Sequence, residues 1–378
     1  MDKDILATLQ ARKALGLWRQ RLVIESPEGR TIRIGNQDYL QFASNDYLGL
    51  ANHPSIKKAM IEGIDAYGVG AGGSHLLSGH KRPHHLLEQR LAAFIGKPQA
   101  LLFSSGYSAN LAVVRTLAEN GVVFADRLNH ASLNDAVLLA RAKLYRYRHL
   151  DLEHLEKFLK QTTARKKMIA TDAVFSMDGD LAPLPQLLEL AKRYECWLYV
   201  DDAHGFGVLG QGKGSLAHFG LDDEQIIYMG TLGKAAGAMG AFVAAESLIV
   251  ELLLQTAKTY IYTTAMPPAL AQALLQSLKL IEDGENLRHR IAAHKKQFAA
   301  LFGLAETPSA IAPLLIGDAN ATVELSEALW AKRIFVPAIR PPTVPQGASR
   351  LRISFSAAHR AEDIDCLSVN LRYFLSRR

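Results

Sequence analysis

Cysteine is nearly absent: Cys196 and Cys366 are the two in 378 residues, far apart and without a CxxC partner. That excludes a disulfide scaffold and a zinc ribbon, and it fits a reducing compartment. Long apolar runs are missing too, and none reaches the length of a bilayer span. The first segment, MDKDILATLQARKALGLWRQR, mixes charges and lacks the apolar stretch of a secretory signal, so the expected location is the cytoplasm, away from membranes. There is no low-complexity tract and no internal repeat. Charge of one sign is in small excess: 43 Lys and Arg against 37 acids leave +6, scattered rather than massed. This argues against nucleic acid, and a phosphorylated or acidic small ligand accounts for the balance equally well. What remains is ordinary: 49% apolar and 21% charged residues, with length for two domains or one large domain and an appendage.

Two nucleotide motifs are incomplete. Gly68-Val-Gly70-Ala-Gly-Gly73 matches GxGxxG by letter, but a dinucleotide fingerprint needs a strand before it and a helix opening at the glycines. Here KKAMIEGIDAY reads as helix before it, and Ser74-His75-Leu76-Leu77-Ser78-Gly79 reads as loop after it. Gly233-Lys234 resembles the end of a phosphate loop, yet Tyr228 and Ala235 stand where that loop needs Gly and Ser or Thr.

The apolar pattern predicts an amphipathic arm over residues 3–21, then a hairpin in TIRIGNQDYLQFA about Gly35-Asn36. From there to about 280, short apolar strands alternate with helices: ALLF, GVVFA, KLYRY, KMIATDA, WLYVD, IIYMG and AFVAA. Such alternation implies a mostly parallel sheet covered on both faces, an α/β fold. SLKLIEDGENLRHRIAAHKKQFAALF reads as one long helix, followed by strands in AIAPLLIG, IFVPAI and SRLRISFS and a closing helix after Ala358. The expected division is an N-terminal arm (1–47), a large ligand-binding domain (48–280) and a smaller α+β domain (281–378).

The chemistry concentrates at two strand ends. Asp201 closes WLYVD, on a strand buried on both faces, where a carboxylate is costly without a partner. Lys234 sits among small residues in GTLGKAAGAMG, 33 positions on, about one strand-helix-strand unit. A structural ion pair between them is one reading. Pyridoxal 5′-phosphate explains both: the lysine amine condenses with the cofactor aldehyde, and the carboxylate keeps the pyridine nitrogen protonated as an electron sink. Ser104-Ser105-Gly106-Tyr107 follows a strand and opens a helix, as a phosphate cradle or a plain N-cap. Thr231 offers another phosphate donor. His130, after GVVFA, suits stacking on a flat ring, or is a surface loop histidine, and Ser176 lies in a further strand-end loop. Arg352 has the fork that recognises a carboxylate, or is an exposed strand arginine. The remaining histidines, among them His84, His85 and His289, lack metal-ligand spacing, and no metal is expected.

With these residues in hand, the chain resembles the α-oxoamine synthases, pyridoxal phosphate enzymes of fold type I. The resemblance runs from about Arg19 to the C-terminus and rests on SNDYLGL (44–50), GAGGSHLLSG (70–79), SSGYSAN (104–110), ADRLNHASL (125–133), FSMDGDLAPL (175–184), VDDAHGFGVLG (200–210), GTLGKAAGAMG (230–240), YTTAMPP (262–268) and SRLRISFSAAH (349–359). It implies an aminotransferase-like large domain with a smaller C-terminal domain, and decarboxylative condensation of an amino acid with an acyl thioester. The segment Ala338-Ile339-Arg340-Pro341-Pro342-Thr343-Val344-Pro345 is similar to that of the biotin-pathway branch, which implies glycine and a pimeloyl thioester as substrates. A sister member acting on succinyl or acetyl thioesters, and a non-catalytic nucleotide-binding protein on the same sheet, are the competing expectations.

The resemblance implies a catalytic set of Lys234, His130, Asp201 and His204. His130 stacks over the ring, Asp201 meets the pyridine nitrogen and His204 the phenolic oxygen. Ser176 lies nearby, and Ser105, Gly106, Tyr107 and Thr231 serve the phosphate. Arg352 takes the glycine carboxylate, Arg19 and Thr343 the acyl substrate, with Asn45 close by and Tyr262 reaching in from a partner subunit of a homodimer. Coenzyme A and acyl carrier protein both remain open as carriers. Two departures, His75-Leu76-Leu77 after the glycines and Tyr107 in place of Phe, bear on substrate contacts and packing.

Overall fold

The computed structural model describes residues 2–15, 17–304 and 307–376. Gly35 and Asn36, at φ of 51° and 60°, turn the chain between β1 (Thr31–Ile34) and β2 (Gln37–Gln41), the left-handed pair that a two-residue hairpin favours. Seven strands then build the central sheet: β3 (Gln99–Phe103), β4 (Val122–Asp126), β5 (Lys143–Tyr147), β6 (Lys167–Asp172), β7 (Trp197–Asp201), β8 (Ile226–Thr231) and β9 (Ala241–Ala245). Their order is β3-β9-β8-β7-β6-β4-β5. The pairs from β8 to β5 are parallel, while β9 runs antiparallel to both of its neighbours. Side chains alternate between two cores: Ile169, Leu198 and Val200 pack on one face, and Met168, Ala170 and Tyr199 on the other. That double burial is why these strands read as apolar runs.

In register, Asp172 lies beside Asp201, Asp201 beside Met229, and both Phe103 and Thr231 beside Ala241. The loops leaving β3, β4, β6, β7 and β8 therefore open at one edge of the sheet. This is the edge where open α/β sheets bind ligands.

A second sheet joins β10 (Ile311–Gly317), β13 (Ser349–Ser354) and β12 (Ala338–Ile339), all antiparallel, and the helix Ala361–Leu375 closes the chain. The stretch IFVPAI, expected as one strand, divides. β11 (Ile334–Phe335) runs parallel to β2, and β12 pairs elsewhere, with Pro337 between them unable to donate to a ladder.

Three further expectations change. The long helix expected over 277–302 is two, Pro268–Glu282 and Glu285–Phe302, broken at Asp283-Gly284. A Cβ at Gly284 would lie 2.7 Å from the Leu280 carbonyl oxygen, so the turn admits only glycine there. The amphipathic segment expected over 3–21 is helical only over Asp2–Ala14, and that helix buries none of its residues. Ile5, Leu6 and Leu9 are 57%, 55% and 41% exposed, so these apolar positions make no buried face. Finally, His75–Gly79 after the glycines is a single π-helical turn rather than open loop.

Candidate active site

Lys234 enters a cavity of about 440 Å³ at the carboxyl edge of the sheet. The turn that carries it is tight: Leu232 N donates to Gly240 O at 2.8 Å and Gly237 N to Lys234 O at 2.8 Å. At Gly237, with φ of 69°, a Cβ would sit 2.4 Å from Ala51 N, so glycine is required. Burial pulls the Lys234 amine below its ordinary range and Arg352 adds to this, while Asp201 and Asp172 oppose it. A lysine so placed is nearer the neutral form that attacks a carbonyl. Its Nζ lies 3.0 Å from His204 Nε2, and among the described residues no ion pair joins it to Asp201.

From His204 a hydrogen-bonded chain crosses the cavity floor. Nδ1 is 2.6 Å from Tyr47 Oη, and Tyr47 donates to Asn45 Oδ1 at 3.1 Å. Tyr47 Oη thus stands between His204 Nδ1 and Asn45 Oδ1, while His204 Nε2 is turned toward Lys234 and the cavity. Burial holds the imidazole well below its usual range, helped by the charges of Lys234, Arg352 and His130, so it is neutral. Arg352 Nη2 closes the chain at 3.1 Å from Asn45 Oδ1 and 3.4 Å from Tyr47 Oη.

Arg352 itself is 5% exposed, which removes the reading as an exposed strand arginine. Its Nε donates to Ser176 O at 2.6 Å and its Nη1 to Ser354 Oγ at 2.9 Å. All these partners are neutral. A buried guanidinium without a carboxylate is costly, and an anionic ligand would relieve it.

Asp201 is likewise held by neutral donors, Asn110 Nδ2 at 2.8 Å and Ala203 N at 3.0 Å. Asn110 is locked in turn, donating to Ser132 Oγ at 2.7 Å and accepting from Tyr199 Oη at 2.5 Å. Beside it, Asp172 accepts from His130 N at 3.0 Å through one oxygen, and the other is buried without a partner. Burial, then the neighbouring Asp201, push the Asp172 carboxyl well above the carboxylate range.

At the opposite wall Ser105 caps the helix Gly106–Ala118, accepting from Ser108 N at 3.1 Å. The first-turn N–H groups of Gly106 and Tyr107 take no partner among the described residues. A Cβ on Gly106 would lie 2.8 Å from Thr231 Cγ2, so glycine lets the threonine approach the helix start. Thr231 Oγ1 donates to Ala203 O at 3.2 Å. The Tyr107 ring points outward to hydrogen-bond Asp135, so only its backbone serves the wall. His130 caps the next helix, with Nδ1 2.7 Å from Ser132 Oγ, and its ring lines the cavity.

The geometry therefore brings Lys234, His204, Asp201, His130, Ser105, Gly106, Tyr107, Thr231 and Ser176 around one cavity, with Arg352 and Asn45 linked to it by hydrogen bonds. Arg19 and Thr343 lie together in a different groove of about 160 Å³. Thr343 also lines a pocket of about 250 Å³ together with Ser176, itself a residue of the cavity wall. Tyr262 is 79% exposed and outside the cavity of its own chain. A larger cleft of about 930 Å³, lined by Arg90, Lys213 and Arg288, holds none of these groups. Sequence reasoning passed over Asn110, Asp172 and Tyr47. Asp172 closes β6 as Asp201 closes β7, so the buried-carboxylate argument would have found it. Nothing local marks the other two.

The site has the fittings of pyridoxal phosphate: a lysine of lowered basicity, a carboxylate free of cations, a neutral histidine, open helix N–H groups and an unpartnered buried carboxyl oxygen. The sequence profile of the class I and II aminotransferases matches residues 37–369. An 8-amino-7-oxononanoate synthase from Nitrosospira multiformis is 55% identical, covering 98% of this chain and 96% of that protein. Among solved structures, an 8-amino-7-oxononanoate synthase from Francisella tularensis superposes with a TM-score of 0.79 at 32% identity, over 90% of this chain and 98% of that one. A structure described as SPT with PLP as internal aldimine reaches a TM-score of 0.91 at 28% identity, over 99% and 97% of the two chains.

Proposed function

We infer the function from a plain premise: the chain belongs to the class I and II aminotransferase family and, within it, to the 8-amino-7-oxononanoate synthases. It is an acyltransferase that condenses glycine with a pimeloyl thioester, losing CO₂ and the carrier thiol, to give 8-amino-7-oxononanoate for biotin synthesis. The observation that carries this for the chain's own residues is Lys234, facing a cavity with Asp201, His204 and a buried Arg352 that lacks a carboxylate.

In this reading Lys234 holds pyridoxal phosphate. Asp201 is the partner of the ring nitrogen and His204 that of the ring oxygen, while His130 covers the ring. The N–H groups after Ser105 and the Thr231 hydroxyl take the phosphate. When bound, the cofactor supplies an electron-accepting ring for the pair left by bonds broken at the amino-acid Cα. Lys234 Nζ removes the glycine Cα proton, and the neutral His204 at 3.0 Å gives that amine a place to share it. Arg352 orients glycine by its carboxylate, its fork already aimed by Ser176 and Asn45. Asn110 keeps Asp201 pointed at the ring. Arg19 and Thr343 bind the acyl substrate, which the groove they share and the pocket that Thr343 lines with Ser176 support. The exposure of Tyr262 supports a homodimer in which it enters the partner's site. The carrier is coenzyme A or acyl carrier protein.

The test is turnover of glycine with pimeloyl, succinyl and acetyl thioesters by the purified yellow protein, with borohydride fixing the cofactor mass on Lys234. Faster turnover with succinyl or acetyl refutes the acyl assignment. A colourless protein, or label on another lysine, refutes the site.

A further inference from the structure

Among the described residues, two overlapping groups of metal-ligating side chains, His75 with His80 and His84, and His80 with His85 and Glu88, are left without a task. The helix Arg82–Ile95 places His85 and Glu88 three positions apart on one face, and His80 stands just before it. One ligand atom from each of His80, His85 and Glu88 falls within 4.8 Å of the others. Glu88 is mostly buried, its side chain 12% exposed. Its Oε1 accepts from Leu102 N at 2.9 Å, and its other oxygen has His80 Nε2 at 3.9 Å as its ion-pair neighbour, too far for a hydrogen bond. That second oxygen is thus left open to a further ligand.

The neighbouring ring prepares His80 to supply a lone pair. His75 Nδ1 and His80 Nδ1 are 2.9 Å apart, so one must donate to the other. His75 is held in place by stacking on Tyr260, with ring centroids 5.0 Å apart. With His80 donating from Nδ1, its Nε2 is bare and faces Glu88, the way a metal-bound histidine is oriented by a partner on its far nitrogen. His84 is excluded as a ligand. Its Nδ1 accepts from Lys81 N at 2.9 Å and its Nε2 donates to Met266 O at 2.8 Å, which spends both nitrogens. His85 is exposed, with its Nε2 3.0 Å from the Gln89 amide and its ring edge-on to that of His80. A pocket of about 510 Å³ lined by His85 and Glu88 provides the approach.

We propose that His80, His85 and Glu88 bind one divalent transition-metal ion of the zinc type, with water as the fourth ligand and His75 as the positioning partner of His80. Ligands on a tetrahedral zinc lie about 3.3 Å apart, so the cluster tightens slightly on binding. The ion clips the turn His75–Gly79 to the following helix. Ser74, which precedes that turn, bridges to Thr264.

The experiment is a zinc titration of the untagged, full-chain holoenzyme against a chromophoric chelator, with Co²⁺ visible spectra reporting coordination geometry. Wild type is expected to bind about one ion per chain, and His80→Ala and His85→Gln each to weaken binding by about tenfold or more. His85 is exposed, so its variant keeps the fold even if Glu88→Gln, which disturbs the Leu102 contact, does not. Binding well below one ion per chain, or a smaller loss in either variant, overturns the site, including the outcome in which zinc binds elsewhere.

Discussion

Replacing Asn110 by alanine isolates the support of Asp201, because the amide touches three partners whose fates differ. Tyr199 Oη, on a side chain with no solvent exposure, loses its acceptor at 2.5 Å. An unsatisfied buried hydroxyl costs about 1–3 kcal/mol. Asp201 loses one of two donors, and a hydrogen bond to a carboxylate contributes about 1.5–3 kcal/mol. Ser132 loses little, since His130 Nδ1 stays at 2.7 Å. Water entering the vacated space recovers part of the sum, which leaves about 2–4 kcal/mol of lost stability. Urea unfolding of the cofactor-free protein measures it, with an unchanged m-value as the check on a common unfolded state. Adding Tyr199→Phe removes the orphaned hydroxyl and should restore about 1–2 kcal/mol. A loss under about 1 kcal/mol for Asn110→Ala, or no recovery in the double variant, refutes the reasoning.

Arg352→Lys keeps the charge but loses the fork, and we expect the glycine KM to rise by about tenfold or more; an unaltered KM removes the carboxylate role. Gly106→Ala puts a methyl 2.8 Å from Thr231 Cγ2, pushing that hydroxyl off the helix start. Spectroscopic titration should show cofactor affinity reduced by about tenfold with little loss of folding stability, alanine being the better helix former. His149 lies 3.0 Å from Asp126 Oδ1 and 2.8 Å from Asp180 Oδ2. Burial lowers its pKa, but hydrogen bonds to the two carboxylates outweigh this and raise it from 6.5 to about 9. The charged form is favoured by folding, so its contribution is complete below pH 6.5 and lost as pH rises through about 9. A melting-temperature profile over that window should flatten in His149→Gln, and an unchanged slope would remove the pair from the account.

The strands were legible because most are apolar runs short enough to cross a sheet once; WLYVD and AFVAA end where the ladder does. The helix breaks were less so. Asp283-Gly284 sits inside a continuous helical pattern, and the steric reason for glycine there, the Leu280 carbonyl, exists only once the turn has formed. The segment 3–21 reads as amphipathic, although the helix formed there, Asp2–Ala14, buries none of its residues.

At the site the division is the same. Lys234 and Asp201 announce themselves by sequence alone, because a charged side chain at the end of a buried strand is costly wherever the fold puts it, and two such anomalies one strand-helix-strand unit apart suggest a shared ligand. Residue type and strand-end position are local properties, and the expected chemistry rests on them. The pairings were not local: Arg352 meets Asn45 across 307 positions, Asn110 reaches Asp201 across 91, and His204 reaches Tyr47 across 157. Whether Arg352 is exposed or buried, and whether Asp201 is bound to a cation or held by amides, depends on distances that only the packed chain sets. Tertiary structure decided these because the cost of a buried charge is fixed by the groups that surround it.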